Sequence, residues 1–215
     1  QPPRRLARGR LAPQLTGAPA RPMTVGRRSE AMAARLAAAA RHAGLDDDGA
    51  RTLDRAFRLA MGPRTRRWPD ERHPATLHPG RVALILLEDL GVADPRTLAA
   101  GTLAETIDLE LAVPPAAIEA ALGREVRALV EQVPAPARAG EALLEALVTA
   151  EMPAQLVALA ERLDHARHLH LRPRPEWEPF HRETCQTYLP VALRVHPTLA
   201  RRYRWWCSRF ARARM

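Results

Sequence analysis

The sequence predicts an all-α helical bundle, and three observations carry that prediction. From Ser29 onward apolar residues recur at helical spacing, prolines and glycines punctuate the runs, and no stretch combines strict alternation with β-branched enrichment. Taken in order, Ser29 and Glu30 open a helix over Ala31 to His42, and Asp46 to Asp48 open a second. Leu53, Phe57 and Ala60 fall on one face of that second helix, and Gly62 with Pro63 is expected to stop it. Pro79 to Leu90 forms the next helix, closed by Gly91; Asp94 and Pro95 then supply a cap and a pre-set first turn for Arg96 to Ile107. Pro114 and Pro115 start a short helix that ends near Gly123, and Glu125 to Val133 runs on to Pro134. Glu141 to Ala150, Pro153 to Leu169, Trp177 to Val195 and Thr198 to Arg212 complete the set. In the last of these, Leu199, Tyr203, Trp206 and Phe210 make one apolar stripe among arginines, and docking of that stripe on the bundle is the expected outcome.

A chain of 215 residues suits one domain with tails: a basic arm over residues 1–28, a helical domain over 29–197 and the basic terminal helix over 198–215. The arm joins five prolines to seven arginines without apolar periodicity, so it is expected to be disordered. The longest apolar run, Val82 to Leu87, is too short to cross a bilayer, which leads us to expect a soluble, cytoplasmic protein. Cys185 and Cys207 lack zinc-knuckle spacing and are expected to be reduced, partly buried thiols. The net charge of +9 resides at the ends: residues 1–28 and 184–215 carry seven arginines each, while the middle sets nineteen arginines against all 24 acids. Binding to RNA or to an acidic partner protein therefore rests on the termini, because the acidic middle repels a phosphate backbone. All 33 basic residues are arginine, which, with abundant alanine and proline, reads as the codon bias of a GC-rich genome and not as selection for guanidinium chemistry.

Four segments occur in the order of a known family. His78-Pro79-Gly80-Arg81-Val82-Ala83-Leu84-Ile85-Leu86 follows a basic loop; Leu122-Gly123-Arg124-Glu125-Val126-Arg127-Ala128-Leu129-Val130 comes next. Leu159-Ala160-Glu161-Arg162-Leu163-Asp164-His165-Ala166-Arg167 and Glu183-Thr184 through Tyr188-Leu189-Pro190-Val191-Ala192-Leu193-Arg194 follow. Together these resemble the HD-domain hydrolases of the RelA/SpoT type, which cleave the alarmone (p)ppGpp, over about Arg55 to Arg201. The resemblance implies an HD/PDEase-like bundle in which two histidines and two aspartates surround one divalent ion, usually manganese, that activates water against a 3′-pyrophosphate. It covers the hydrolase half alone.

The departures fall on the chemistry. Against the family's Leu-Leu-His-Asp-Thr-x-Glu-Asp stands Thr102-Leu103-Ala104-Glu105-Thr106-Ile107-Asp108-Leu109. The second histidine is thus Ala104, its aspartate Glu105, the water-activating glutamate Asp108, and the adjacent acid Leu109; the later metal aspartate is Glu161 and the following asparagine His165. Only His78 keeps its type. Glu161 and His165 are one helical turn apart, so a rewired metal set of His78, Glu105, Glu161 and His165 again offers two imidazoles and two carboxylates. Glu105 and Asp108 are the candidate catalytic carboxylates, with water activation left to Asp108; Arg66 and Arg67 match the family's nucleotide-contacting pair. Of the other histidines, His168, His170, His73 and His196 read as helix-end or turn residues.

The reading is a degenerate member of this family, non-catalytic or weakly active, that either retains binding of a guanosine nucleotide such as ppGpp or has a regulatory role through a partner. The alternatives are an active Mn2+-dependent phosphohydrolase with a rewired site, and a nucleic-acid or ribosome-associated protein acting through its basic ends.

Overall fold

The computed structural model describes residues 26–135 and 140–212, so the arm predicted for the N-terminus lies, up to residue 25, outside the described residues. Among the described residues the chain is helical throughout, with no strand. Helix α1 (Arg27–His42) starts earlier than Ser29 because its cap comes from across the fold. The Glu71 carboxylate accepts from the Arg28 N–H (2.9 Å), the Ser29 N–H (3.2 Å) and the Ser29 hydroxyl (2.6 Å). Arg27 and Arg28 therefore belong to a helix and not to the arm. Glu71 is buried and left-handed (φ 53°), a conformation that costs a side-chain-bearing residue about 1–2 kcal/mol and that the cap offsets.

Helix α2 (Asp47–Arg67), capped by Asp46 on Gly49 N–H at 2.7 Å, runs through Pro63 where a stop was expected. The Thr65 hydroxyl and the Arg64 guanidinium donate to the carbonyls of Met61 and Ala60 (3.0 and 3.2 Å), giving acceptors of this turn side-chain partners. This extra turn carries Arg64 into the core and sets Arg67 at the mouth of a cavity.

Helix α3 (His78–Leu84) continues as a π turn over Ile85–Asp89, and the apolar run Val82 to Leu87 is fully interior. Helix α4 (Pro95–Leu103) ends before the predicted Ile107: Ala104 turns extended, and Glu105 Oε1 accepts the N–H groups of Ile107 and Asp108 at 3.3 and 3.0 Å. Two glycines let these helices approach closely. A side chain at Gly80 would meet Met32 of α1, and one at Gly101 would meet Leu86 of the π turn.

Helices α5 (Pro115–Leu122), α6 (Arg124–Gln132) and α7 (Glu141–Thr149) lead to α8 (Met152–Arg167), which packs against α3, α4, α6, α7, α10 and α11. Because α8 is buried nearly all round, it needs no amphipathic stripe, yet Glu161, Arg162 and Asp164 sit within it, each less than 4% exposed. The predicted helix Trp177 to Val195 is α9 (Trp177–Glu183), a π turn (Thr184–Tyr188) and α10 (Leu189–Val195).

Helix α11 (Pro197–Arg212) docks by its stripe: Leu199 and Tyr203 are wholly buried, the Tyr203 hydroxyl donates to the Leu159 carbonyl (2.6 Å), and the Trp206 indole donates to that of Ala166 (2.8 Å). The expectation of free thiols is corrected here. Cys185 and Cys207 are joined as a disulfide, with Cα atoms 6.2 Å apart, because docking of α11 lays position 207 over the π turn.

Candidate metal centre and nucleotide cleft

A cavity of about 570 Å³ opens where the ends of α2, α4 and α8 meet the start of α3. His78 enters it as the first residue of α3, and its ring is 3% exposed. Its Nδ1 lies 2.8 Å from Asp164 Oδ2, so the proton sits on Nδ1 and donates to the carboxylate. The Nε2 lone pair is then free, and that atom is buried with no partner. Arg81, one turn along α3, fixes the same carboxylate through Nε to Oδ1 and Nη2 to Oδ2, both at 2.8 Å. Burial alone would raise Asp164, but the hydrogen bonds from His78 and Arg81 prevail and hold it far below the ordinary carboxylate range.

Across from His78 stands His165, with ring centroids 4.4 Å apart. Its Nε2 is also buried without a hydrogen-bond partner, and lies 4.0 Å from Glu161 Oε1. Burial, with His78 beside it, keeps His165 well below the usual imidazole value and hence neutral. Glu161 accepts from the backbone N–H and the hydroxyl of Thr106 at 2.8 and 2.9 Å, while burial and the neighbouring Glu105 push its carboxyl up to about 8. His78, Glu161 and His165 each present one donor atom, and the three atoms lie within 4.8 Å of one another.

These donors fit a divalent cation. Two neutral imidazole nitrogens and one carboxylate oxygen form the 2-His-1-carboxylate set, which leaves coordination positions open. The Asp164 carboxylate behind His78 is the outer partner that metal-bound histidines ordinarily use to fix tautomer and ring orientation. The second imidazole of the cluster, His165, is delivered from α8, one turn beyond Glu161.

The fourth predicted ligand does not join. Glu105 is buried against Arg64 (Oε2 to Nη2 2.5 Å), and its other oxygen holds the Ile107 and Asp108 amides. Although it borders the cavity, it stands outside the three-donor cluster, and its charge is already matched. Asp108, the second candidate catalytic carboxylate, lines the cavity from the loop after α4 and is ion-paired with Arg67 at 3.2 Å. Arg67 also pairs with Glu110 (2.9 Å) and lies over the Trp68 ring, 5.3 Å from its centroid. Arg66 is exposed and does not line the cavity, so the predicted nucleotide-binding pair is divided.

Three features of the cleft were not singled out in the sequence. Asp164 and Arg81 orient His78, and Trp68 stacks on His73 (4.3 Å, 5°) at the cavity wall. Arg172 adds a further guanidinium to the lining. Asp164 is signalled in the sequence by its place between the candidate ligands Glu161 and His165; the stacked pair leaves no signal, since it depends on the fold of the loop. No protein-family model matches the chain, and no curated protein matches its sequence.

Proposed function

We propose that the chain is a divalent-metal-dependent phosphohydrolase of the HD type, rebuilt around a three-ligand centre and acting on a phosphorylated guanosine nucleotide of the ppGpp class. The single observation that carries this reading is the pair of buried, unpartnered Nε2 atoms of His78 and His165 facing the Glu161 carboxylate. Leaving two such atoms without hydrogen bonds costs about 1–3 kcal/mol each, which ligation offsets. His78, Glu161 and His165 would hold the ion, and manganese is the metal that the resemblance implies. A divalent ion bound there supplies Lewis-acid polarisation of a phosphate oxygen and acidifies a coordinated water.

The chain's own residues do the rest. Asp164 and Arg81 keep the His78 proton on Nδ1, so that Nε2 remains a ligand atom. Arg67 and Arg172 supply positive charge for phosphate oxygens, and the Trp68–His73 stack offers a flat wall for a purine ring. Asp108 is the carboxylate at hand to accept a proton from the attacking water, once an incoming phosphate draws Arg67 away.

A second reading, a nucleotide-binding relative without turnover, is favoured by that same Arg67–Asp108 pair, which occupies the candidate base. Manganese content and pyrophosphate release from ppGpp, with chelated protein as the blank, separate the two. Stoichiometric metal with chelator-sensitive release supports the hydrolase; stoichiometric metal without release supports the binding protein. Absence of metal uptake overturns the centre itself.

A further inference from the structure

Away from the cleft, a second donor cluster joins α9, the π turn behind it and α11. His181 and Cys185 lie four residues apart on one continuous helical path, with Cys185 Sγ 3.3 Å from His181 Nε2. Cys207 arrives from α11, and its carbonyl lies 3.1 Å from the same nitrogen. One donor atom from each of the three residues falls within 4.8 Å of the others. All three are half-buried, so an ion and a reductant can both reach them.

We propose that this cluster is a thiol-gated site for a thiophilic divalent cation of the zinc class, closed by the Cys185–Cys207 disulfide and opened by its reduction. Two thiolates and an imidazole are a soft donor set that selects zinc over the hard cations favoured by carboxylates, and a water completes four-coordination. Tetrahedral zinc sets such donors roughly 3.3–3.8 Å apart, so the two sulfurs need only part to about van der Waals contact.

The helices hold them there without the bond. Tyr203 and Trp206, on the turn of α11 that precedes Cys207, remain tied to the carbonyls of Leu159 and Ala166 (2.6 and 2.8 Å). The His181 ring is stacked on Phe210 (centroids 4.4 Å apart, 16°) and lies 5.6 Å from Trp206, which limits its rotation. A disulfide that served only as a staple would not need a third donor in contact with both half-cystines. In the oxidised state Nε2–H donates to the Cys207 carbonyl; in the metal-bound state that proton sits on Nδ1 and Nε2 becomes the ligand.

A phosphine reductant and one water convert the disulfide to two thiols and a phosphine oxide, a two-electron reduction of sulfur. Cation binding then forms two S–metal bonds and one N–metal bond and releases two thiol protons to solvent, with no change in the oxidation state of the metal.

The test uses the whole chain and Co2+ as a spectroscopic stand-in for Zn2+. Thiol titration is expected to give no free thiol before phosphine treatment and two after it. In reduced protein, freed of phosphine, Co2+ should raise a sulfur-to-metal charge-transfer band in the near ultraviolet that corresponds to one sulfur-bound equivalent, apart from any Co2+ taken by the cleft, and Zn2+ should abolish that band. The cleft contains no sulfur donor, so the band reports this cluster alone, and its fate is independent of the hydrolase reading. Cys207→Ser should lose the band, and His181→Ala should weaken Co2+ binding, followed by the band, at least 10-fold while keeping both thiols and the far-ultraviolet helix signal. The proposal is overturned by free thiols before reduction, by absence of the charge-transfer band in reduced wild-type protein, or by unchanged affinity in folded His181→Ala.

Discussion

Asp164→Asn tests the cleft at its most specific point. The carboxylate receives three hydrogen bonds at 2.8 Å, one from His78 Nδ1 and two from Arg81, while its own side chain is 2% exposed. Asparagine has a single acceptor oxygen. Placed at the Oδ2 position it keeps His78 and Arg81 Nη2, but its amide then faces Arg81 Nε, donor against donor. One charge-assisted bond is lost, worth about 1.5–3 kcal/mol. Arg81 keeps 23% exposure, so solvent screens part of its unmatched charge, and we expect about 2–3 kcal/mol of lost stability, not the 3–5 of a fully buried orphan. The His78 tautomer survives with a weaker outer acceptor, for which the expected fall in manganese affinity is about 10–100-fold. That corresponds to about 1.4–2.7 kcal/mol of binding free energy. Urea unfolding gives the first quantity and calorimetric titration with Mn2+ the second. A folded variant with unchanged manganese affinity would refute the argument that Asp164 orients His78 as a ligand.

Further outcomes are expected elsewhere. His165→Asn installs the residue that the family resemblance implies there, yet it should abolish manganese uptake, because the other imidazoles lining the cavity, His73 and His168, stand outside the three-donor cluster; retained uptake in an equilibrium-dialysis measurement would count against His165 as a ligand. In chelated protein, Glu161 has a folded pKa of about 8 against an ordinary 4.5, so the folded state keeps a proton that the unfolded state has released. Stability should therefore be highest below pH 4.5 as far as this group is concerned, and fall as pH rises from 4.5 to about 8, a slope that Glu161→Gln removes in urea titrations. Glu71→Ala deletes three hydrogen bonds at the start of α1 and should cost about 2–3 kcal/mol, with faster amide exchange confined to the first turn of that helix; uniform exchange across the chain would argue for a global role instead.

The helices were legible in the sequence because their punctuation is local. Asp46 and Asp94 cap where they were expected to, and the Gly91 and Gly123 turns fall where they were placed. The errors arise where a distant side chain decides. Glu71 sets the start of α1, and the side-chain bonds of Arg64 and Thr65 accompany α2 past Pro63. The approach of Glu161 and His165 was readable from a four-residue interval on one helix, and His78 from its dipeptide. Glu105 was placed by analogy as a ligand, but its partner Arg64 lies 41 residues away on a turn that the sequence was expected not to form. The disulfide escaped for the same reason, since its partners are 22 residues apart and meet only when α11 docks.

The first turn of α1 and the wall of the cleft are mechanically one piece. Glu71 donates its N–H to the Trp68 carbonyl (3.0 Å), and its carboxylate grips Arg28 and Ser29, so the turn that carries the Trp68–His73 stack is moored to the N-terminal helix. Gly26 completes the mooring by accepting from the Ser29 hydroxyl at 3.1 Å. Anyone trimming the arginine-rich N-terminal segment to obtain a better-behaved sample should accordingly cut ahead of Gly26: a fragment that starts at Ser29 keeps the Ser29 bonds to Glu71 but loses those of Arg28, and its binding measurements would be made on a cleft with one wall less firmly held.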